Sequence, residues 1–176
     1  MVNDRMDFEQ IAEDVAKLSK FQELFDSSSK LMSDALLGDG TIYCISGVFC
    51  ASSAQQFVDL LACSPDETRP TLPTQYLNSD ARGQKQFEAL VKENDFAVFF
   101  SDPVRNQSLE ALLDCCLEKG VASLLISPDL NHIESTDKAL EIRLEYLSFS
   151  NYSTSLSAVS NYLTRSIETL LFGRQV

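Results

Sequence analysis

The sequence predicts a three-layer α/β/α sandwich on a mainly parallel sheet, preceded by N-terminal helices. Short apolar runs rich in β-forming residues recur at 41–45, 96–100 and 121–126, as expected of strands covered on both faces. A polar loop and then an amphipathic helical stripe follow the first two. Strand and helix alternating in this way imply parallel pairing through right-handed crossovers.

Each element has its own local reason. Residues 4–37 read as helix, because Phe8, Ile11, Val15, Leu18 and Phe25 recur at helical spacing between charged residues. Asp26-Ser27-Ser28-Ser29 reads as a break and recap, since such side chains satisfy the free N–H groups of a helix start. The second piece runs through Leu31, Met32, Ala35 and Leu36 to Gly38, a terminating glycine. Segment 64–80 has three prolines and reads as loop, with a weak strand at 74–77.

Ala54, Phe57, Val58 and Leu61 form the helix face after the first strand, and Leu109, Leu112, Leu113 and Cys116 the one after the second. Leu140, Ile142, Leu144 and Tyr146 alternate with Glu141, Arg143 and Glu145, the pattern of an edge strand with one wet face. The last helix, 151–171, carries Leu156, Val159, Leu163, Ile167 and Leu170 on one stripe. The 176 residues read as one domain, with 1–38 a helical segment for packing or oligomerisation and 39–176 the α/β core.

Composition narrows the function. Fourteen basic residues stand against 26 acidic ones, a net charge of −12, which repels nucleic acid and anionic lipid. No apolar window is long enough to cross a bilayer, and the first ten residues carry no targeting pattern. The five cysteines form no Cys-x-x-Cys pair and read as small buried hydrophobes in a reducing, cytoplasmic setting.

Ligands of open parallel sheets sit beyond the carboxyl ends of the strands. The loops that qualify are 46–53, 101–106 and 127–132. The first reads Ser46-Gly47-Val48-Phe49-Cys50-Ala51-Ser52-Ser53. Only one glycine is present to let backbone N–H groups close on a phosphate, and Val48 and Phe49 put side chains where such a cradle needs room.

This strand–loop–helix, with Gln55-Gln56-Phe57 following, resembles the sugar-isomerase (SIS) domain superfamily. The branch is that of phosphoheptose isomerase and the DnaA initiator-associating protein. The stretch Arg69-Pro70-Thr71-Leu72-Pro73, then Leu77-Asn78-Ser79-Asp80, looks like the Arg-Pro-x-x-Pro…Leu-Asn-Thr-Asp element of the initiator-associating protein. The tail Ile167-Glu168-Thr169-Leu170-Leu171-Phe172, then Gln175-Val176, resembles its C-terminus. The resemblance implies the SIS fold, a flavodoxin-like sandwich, and a homodimer or homotetramer.

The departures from that family set the functional expectation. Its metal and acid–base positions, His, Glu, Gln and His, fall on Gln56, Leu60, Ser153 and Asn161. Leucine neither binds a metal nor moves a proton, and amides have no usable pKa. Isomerase chemistry is therefore not expected, and neither a metal nor another cofactor. Cys50, Ser52, Ser53, Ser101 and Asn106 outline a vestigial phosphosugar pocket, with Arg69 and Arg105 as sources of positive charge.

A thiolate at Cys50 would be favoured by the helix start, but His132, the only histidine, is not placed near it by the sequence, so no catalytic residue is assigned. Leu171 lies at the edge of the last stripe and Phe172 outside it, as suits an anchor for a partner. By resemblance that partner is the replication initiator DnaA. The leading expectation is a non-catalytic, homo-oligomeric protein acting by contact. A phosphosugar-binding sensor is the alternative, and active phosphoheptose isomerase a third reading.

Overall fold

A computed structural model describes residues 8–63, 69–104, 107–128, 136–144 and 149–173. Five strands, β1 (Ile42–Ser46), β2 (Thr74–Asn78), β3 (Phe96–Phe100), β4 (Ala122–Pro128) and β5 (Ala139–Leu144), form one sheet in the order β2-β1-β3-β4-β5. All its pairings are parallel. The helices are α1 (Phe8–Ala16), α2 (Gln22–Leu37), α3 (Ala51–Ala62), α4 (Ala81–Leu90), α5 (Gln107–Lys119) and α6 (Phe149–Phe172). The three-layer sandwich with N-terminal helices is therefore the architecture observed. Among the described residues no helix is long and apolar enough to cross a membrane.

Alternation along the buried strands divides the core in two. Ile42, Cys44, Phe96, Val98, Phe100, Leu124 and Ile126 face one layer, packed with residues of α2, α3 and α6. Tyr43, Ile45, Ala97, Phe99 and Leu125 face the other, with Phe87 of α4 and Leu109, Leu112 and Cys116 of α5. The weak strand at 74–77 is a real one, pairing Thr74 to Asn78 with Ile42 to Ser46 at the sheet's edge.

Several local expectations are corrected. The N-terminal helix does not break at residues 26–29. It passes through a 3₁₀ turn at Lys17–Phe21, where Leu18 and Phe21, three apart, both pack on the core, the spacing that a 3₁₀ turn aligns. Ser28 and Ser29 lie buried inside α2 instead, and the Ser28 hydroxyl donates to the Leu24 carbonyl at 2.7 Å. Small side chains there let α2 lie close on its neighbours. Helix α2 ends at Gly38 as expected, but Gly38 has φ −89° and Asp39 takes the left-handed conformation, φ 58°.

Helix α4 has no counterpart in the sequence reading, for it buries only Gly83 and Phe87 along its length. Its start is fixed by the Asp80 carboxylate, which accepts from the N–H groups of Arg82 and Gly83 at 3.0 and 2.8 Å.

Strand β5 is an edge strand as expected, but its polar face is not wet. Glu141 is buried; it accepts from the Ser127 hydroxyl at 3.0 Å and from the Arg143 guanidinium. Tyr146 lies outside the described residues. On α6, Leu156, Val159, Leu163 and Ile167 form the buried stripe, but Leu170 is 56% exposed. Leu171 packs against the core in its place.

Candidate functional site

The chain runs from β1 outward to β2 and then returns to the other side of β1 to form β3. The order thus reverses between β1 and β3, and a crevice opens at their carboxyl ends. Register places Ser46 beside Phe100, so the loop leading into α3 and the loop leading toward α5 begin side by side.

At that point the Cys50 N–H, at the start of α3, donates to Asp102 Oδ1 at 2.9 Å. Asp102 is buried and lies directly over Gly47. A Cβ on Gly47 would stand 1.9 Å from Asp102 Oδ2, and its nearest three contacts are all atoms of that carboxylate. The α3 N-terminus, with its free N–H groups and positive dipole end, thus has a carboxylate of the chain's own seated on it. The neighbouring start of α4 carries Asp80 in the same role.

Val48 and Phe49 do not fill the cradle as the sequence implied. They are 77% and 58% exposed, and Asp102 takes the space. A cleft of about 570 Å³ remains above, lined by Gly47, Val48, Phe49, Asn78, Ser79, Asp80, Asp102, Val104, Gln107 and Ser108.

Of the residues expected to bind a ligand, Cys50, Ser53 and Ser101 are buried and Ser52 is exposed. None of the four lines the cleft. Asn106, Arg105 and His132 lie outside the described residues. Ser101 sits below the cleft floor: its hydroxyl donates to the Asp102 carbonyl at 3.2 Å, and its own carbonyl accepts from Tyr152 Oη at 2.9 Å.

The thiolate expected at Cys50 is not favoured. Burial, and then the charge and hydrogen bond of Asp102, push the thiol well above its ordinary range. Its Sγ instead donates to the Ser101 carbonyl at 3.4 Å. The helix start that should have ionised the sulfur spends its field on Asp102.

Arg69 supplies no charge to the cleft. It is buried; its Nη1 and Nη2 donate to the carbonyls of Leu61 and Leu60 at 2.8 and 2.7 Å, and its Nε to Glu168 Oε1 at 2.5 Å. The guanidinium closes the C-terminus of α3 and fastens it to the last turns of α6. Leu171 and Phe172 follow directly on Glu168, with Leu171 half-buried and Phe172 38% exposed.

Gln56 and Asn161 project from α3 and α6 near one another, joined through Ser157. The Ser157 hydroxyl donates to Gln56 Oε1 at 2.9 Å, and Asn161 Nδ2 to the Ser157 carbonyl at 2.8 Å. With Leu60 and Ser153 on the same two helices, this face offers two amides, an aliphatic chain and a hydroxyl. That donor set does not fit a divalent metal, which wants imidazole or carboxylate. Among the described residues, no three His, Cys, Asp or Glu side chains are grouped to hold one.

No protein-family model matches the chain, and no curated protein matches it by sequence. Solved structures do match. A phosphoheptose isomerase from Francisella tularensis has TM-score 0.80 at 17% identity, over 92% of this chain and 94% of its own. One from Neisseria gonorrhoeae has TM-score 0.76 at 16%, over 92% and 95%. The E. coli CFT073 protein c3406, solved in complex with arabinose 5-phosphate, has TM-score 0.70 at 14%, over 93% and 86%. The chain therefore has the fold of the sugar-phosphate isomerases, the SIS fold that its strand–loop–helix resembled.

Proposed function

We propose that this is a non-catalytic SIS-fold protein of the cytoplasm, a homodimer or homotetramer that acts through protein contact. The observation carrying the proposal is the Asp102 carboxylate on the α3 N-terminus. An anionic ligand seated there would have to displace a charge already bonded and buried, at a cost of several kcal/mol unless the carboxylate is neutralised. Gln56, Leu60, Ser153 and Asn161 support the same reading, since none can hold or move a proton near neutral pH.

The partner the reading names is the replication initiator DnaA, met by Leu171 and Phe172 at the last turn of α6. Phe172 offers an exposed aromatic ring, and an oligomer would present several copies, raising apparent affinity by about 10²–10⁴. The test is titration of purified DnaA into wild type, Phe172→Ala and the Leu171→Ala/Phe172→Ala pair. Phe172→Ala guards against misfolding, because Leu171 also packs on the core. Binding that both variants lose supports the reading, and a folded wild type that does not bind overturns it.

A second reading rests on the likeness to phosphoheptose isomerases and to a protein solved with a sugar phosphate. The cleft above Asp102 would then hold a sugar phosphate as substrate or signal. Sedoheptulose 7-phosphate or arabinose 5-phosphate raising the melting temperature would favour that reading. Turnover with added zinc would extend it to catalysis.

A further inference from the structure

The cleft at the carboxyl edge of the sheet has an apolar rim. Val48 and Phe49, from the loop before α3, are 77% and 58% exposed, and Val104, from the loop before α5, is 63% exposed. All three line the same cleft. Large exposed apolar groups gathered at one place mark an interaction surface, whereas scattered ones need no explanation.

Charge indicates what the surface takes. Among the described residues lining the cleft the ionisable groups are Asp80 and Asp102, and neither lysine nor arginine is present. The whole chain carries −12, so the field over the cleft is negative and draws cations toward it. A second copy of this chain brings the same excess of negative charge and is opposed by it. Asn78 and Gln107 add amide groups beside the apolar rim, able to bond the main chain of an extended segment.

We infer that this cleft is a docking site for a partner segment that presents an apolar side chain next to lysine or arginine. The apolar group packs among Val48, Phe49 and Val104, and the cation approaches Asp80. The surface is distinct from Leu171 and Phe172. Tyr152, near the start of α6, bonds the carbonyls of Ser101 and Ile126 at the carboxyl edge of the sheet. The other end of α6 is tied by Glu168 to Arg69, just before the chain enters β2 at the opposite edge. The inference therefore stands or falls apart from the DnaA reading.

The test pans a phage-displayed library of short random peptides on the full-length protein, with an unrelated acidic protein as control. Recovered peptides are then synthesised and titrated by fluorescence anisotropy. The expected outcome is enrichment of an aliphatic or aromatic residue beside Lys or Arg. Affinity should fall about tenfold in Val48→Ser/Val104→Ser, as for loss of an apolar anchor, and should weaken as salt rises. The Leu171→Ala/Phe172→Ala variant should bind these peptides like wild type. An acidic or charge-free consensus, enrichment no greater than on the control, or equal binding to the Val48→Ser/Val104→Ser variant overturns the inference. So does a change in the sedimenting species of that variant, which would assign the rim to contact between copies of the chain.

Discussion

Replacing Gly47 by alanine tests most directly whether Asp102 closes the α3 N-terminus. The added Cβ would lie 1.9 Å from Oδ2 and 2.6 Å from Cγ of Asp102, over an ångström inside the closest approach such atoms make. The carboxylate must move, and moving it breaks the 2.9 Å bond from the Cys50 N–H. Loss of a hydrogen bond to a charged acceptor costs about 1.5–3 kcal/mol, and overpacking a close contact costs about 1–3 kcal/mol. The two overlap, because relieving the clash is what breaks the bond. A destabilisation of about 2–3 kcal/mol follows for Gly47→Ala, and about 2 kcal/mol for Asp102→Ala.

The two losses should not add. Once Asp102 is alanine, the carboxylate that Gly47→Ala collides with is gone. The double variant should then be about as stable as Asp102→Ala alone, a coupling of about 2 kcal/mol, within the range for residues in contact. Urea unfolding followed by far-UV circular dichroism reads this out. With a slope of about 2 kcal/mol/M, each single variant should lower the midpoint by about 1 M. Inorganic phosphate should also stabilise Asp102→Ala beyond any effect on wild type, by about 1.4 kcal/mol at tenfold its dissociation constant. The reasoning fails if Gly47→Ala is harmless, or if it costs as much with Asp102 absent as with it present.

Arg69→Met should lower stability by about 3–5 kcal/mol, since it leaves Glu168 and the carbonyls of Leu60 and Leu61 without the buried guanidinium. Scanning calorimetry should show a melting temperature lower by about 10 °C, and a change under about 2 °C would mean the pair is not what fastens α6. Iodoacetamide at neutral pH should alkylate only exposed Cys63 in the native protein and all five cysteines after denaturation, as mass spectrometry would show. Burial raises the thiols of Cys44 and Cys116, and burial with Asp102 that of Cys50. A native adduct at Cys50 would contradict both its burial and its neutral state.

The parts of the fold legible in the sequence were those with one dominant cause. Strands β1, β3 and β4 are buried on both faces, so their apolar runs announce them. Strand β2 was legible only weakly, because Thr74, Gln75 and Tyr76 are half-buried at the edge and their composition is mixed. Helix α4 escaped notice for a different reason. Gly83 reads locally as a helix breaker, yet it is required where a Cβ would meet the Asn78 carbonyl at 1.7 Å, a contact set by the turn out of β2. The serines of α2 misled because serine caps a helix start and also fills a tight interface, and only the packing tells which. The site was less legible still. Asp102 reads as an ordinary loop aspartate until the β1–β3 register sets its loop beside the one that carries Gly47 and Cys50. A glycine in one of those loops and an acidic residue in the other was the signal available.

The same contact bears on what the carboxyl edge of the sheet can do. Asp102 and Asp80 occupy the starts of α3 and α4 from within the chain, so no translational entropy is lost in holding them there. An anion from solution competes with a tethered group whose effective concentration is on the order of millimolar or more. It must also leave the displaced carboxylate hydrated or paired, although no basic residue lines the cleft among those described. Both requirements weaken a phosphorylated ligand, whereas neither touches a partner that packs on Val48, Phe49 and Val104. Filling the anion position from inside thus shifts the balance at this edge from small-molecule binding toward macromolecular contact. It does so without altering the order of strands that formed the crevice.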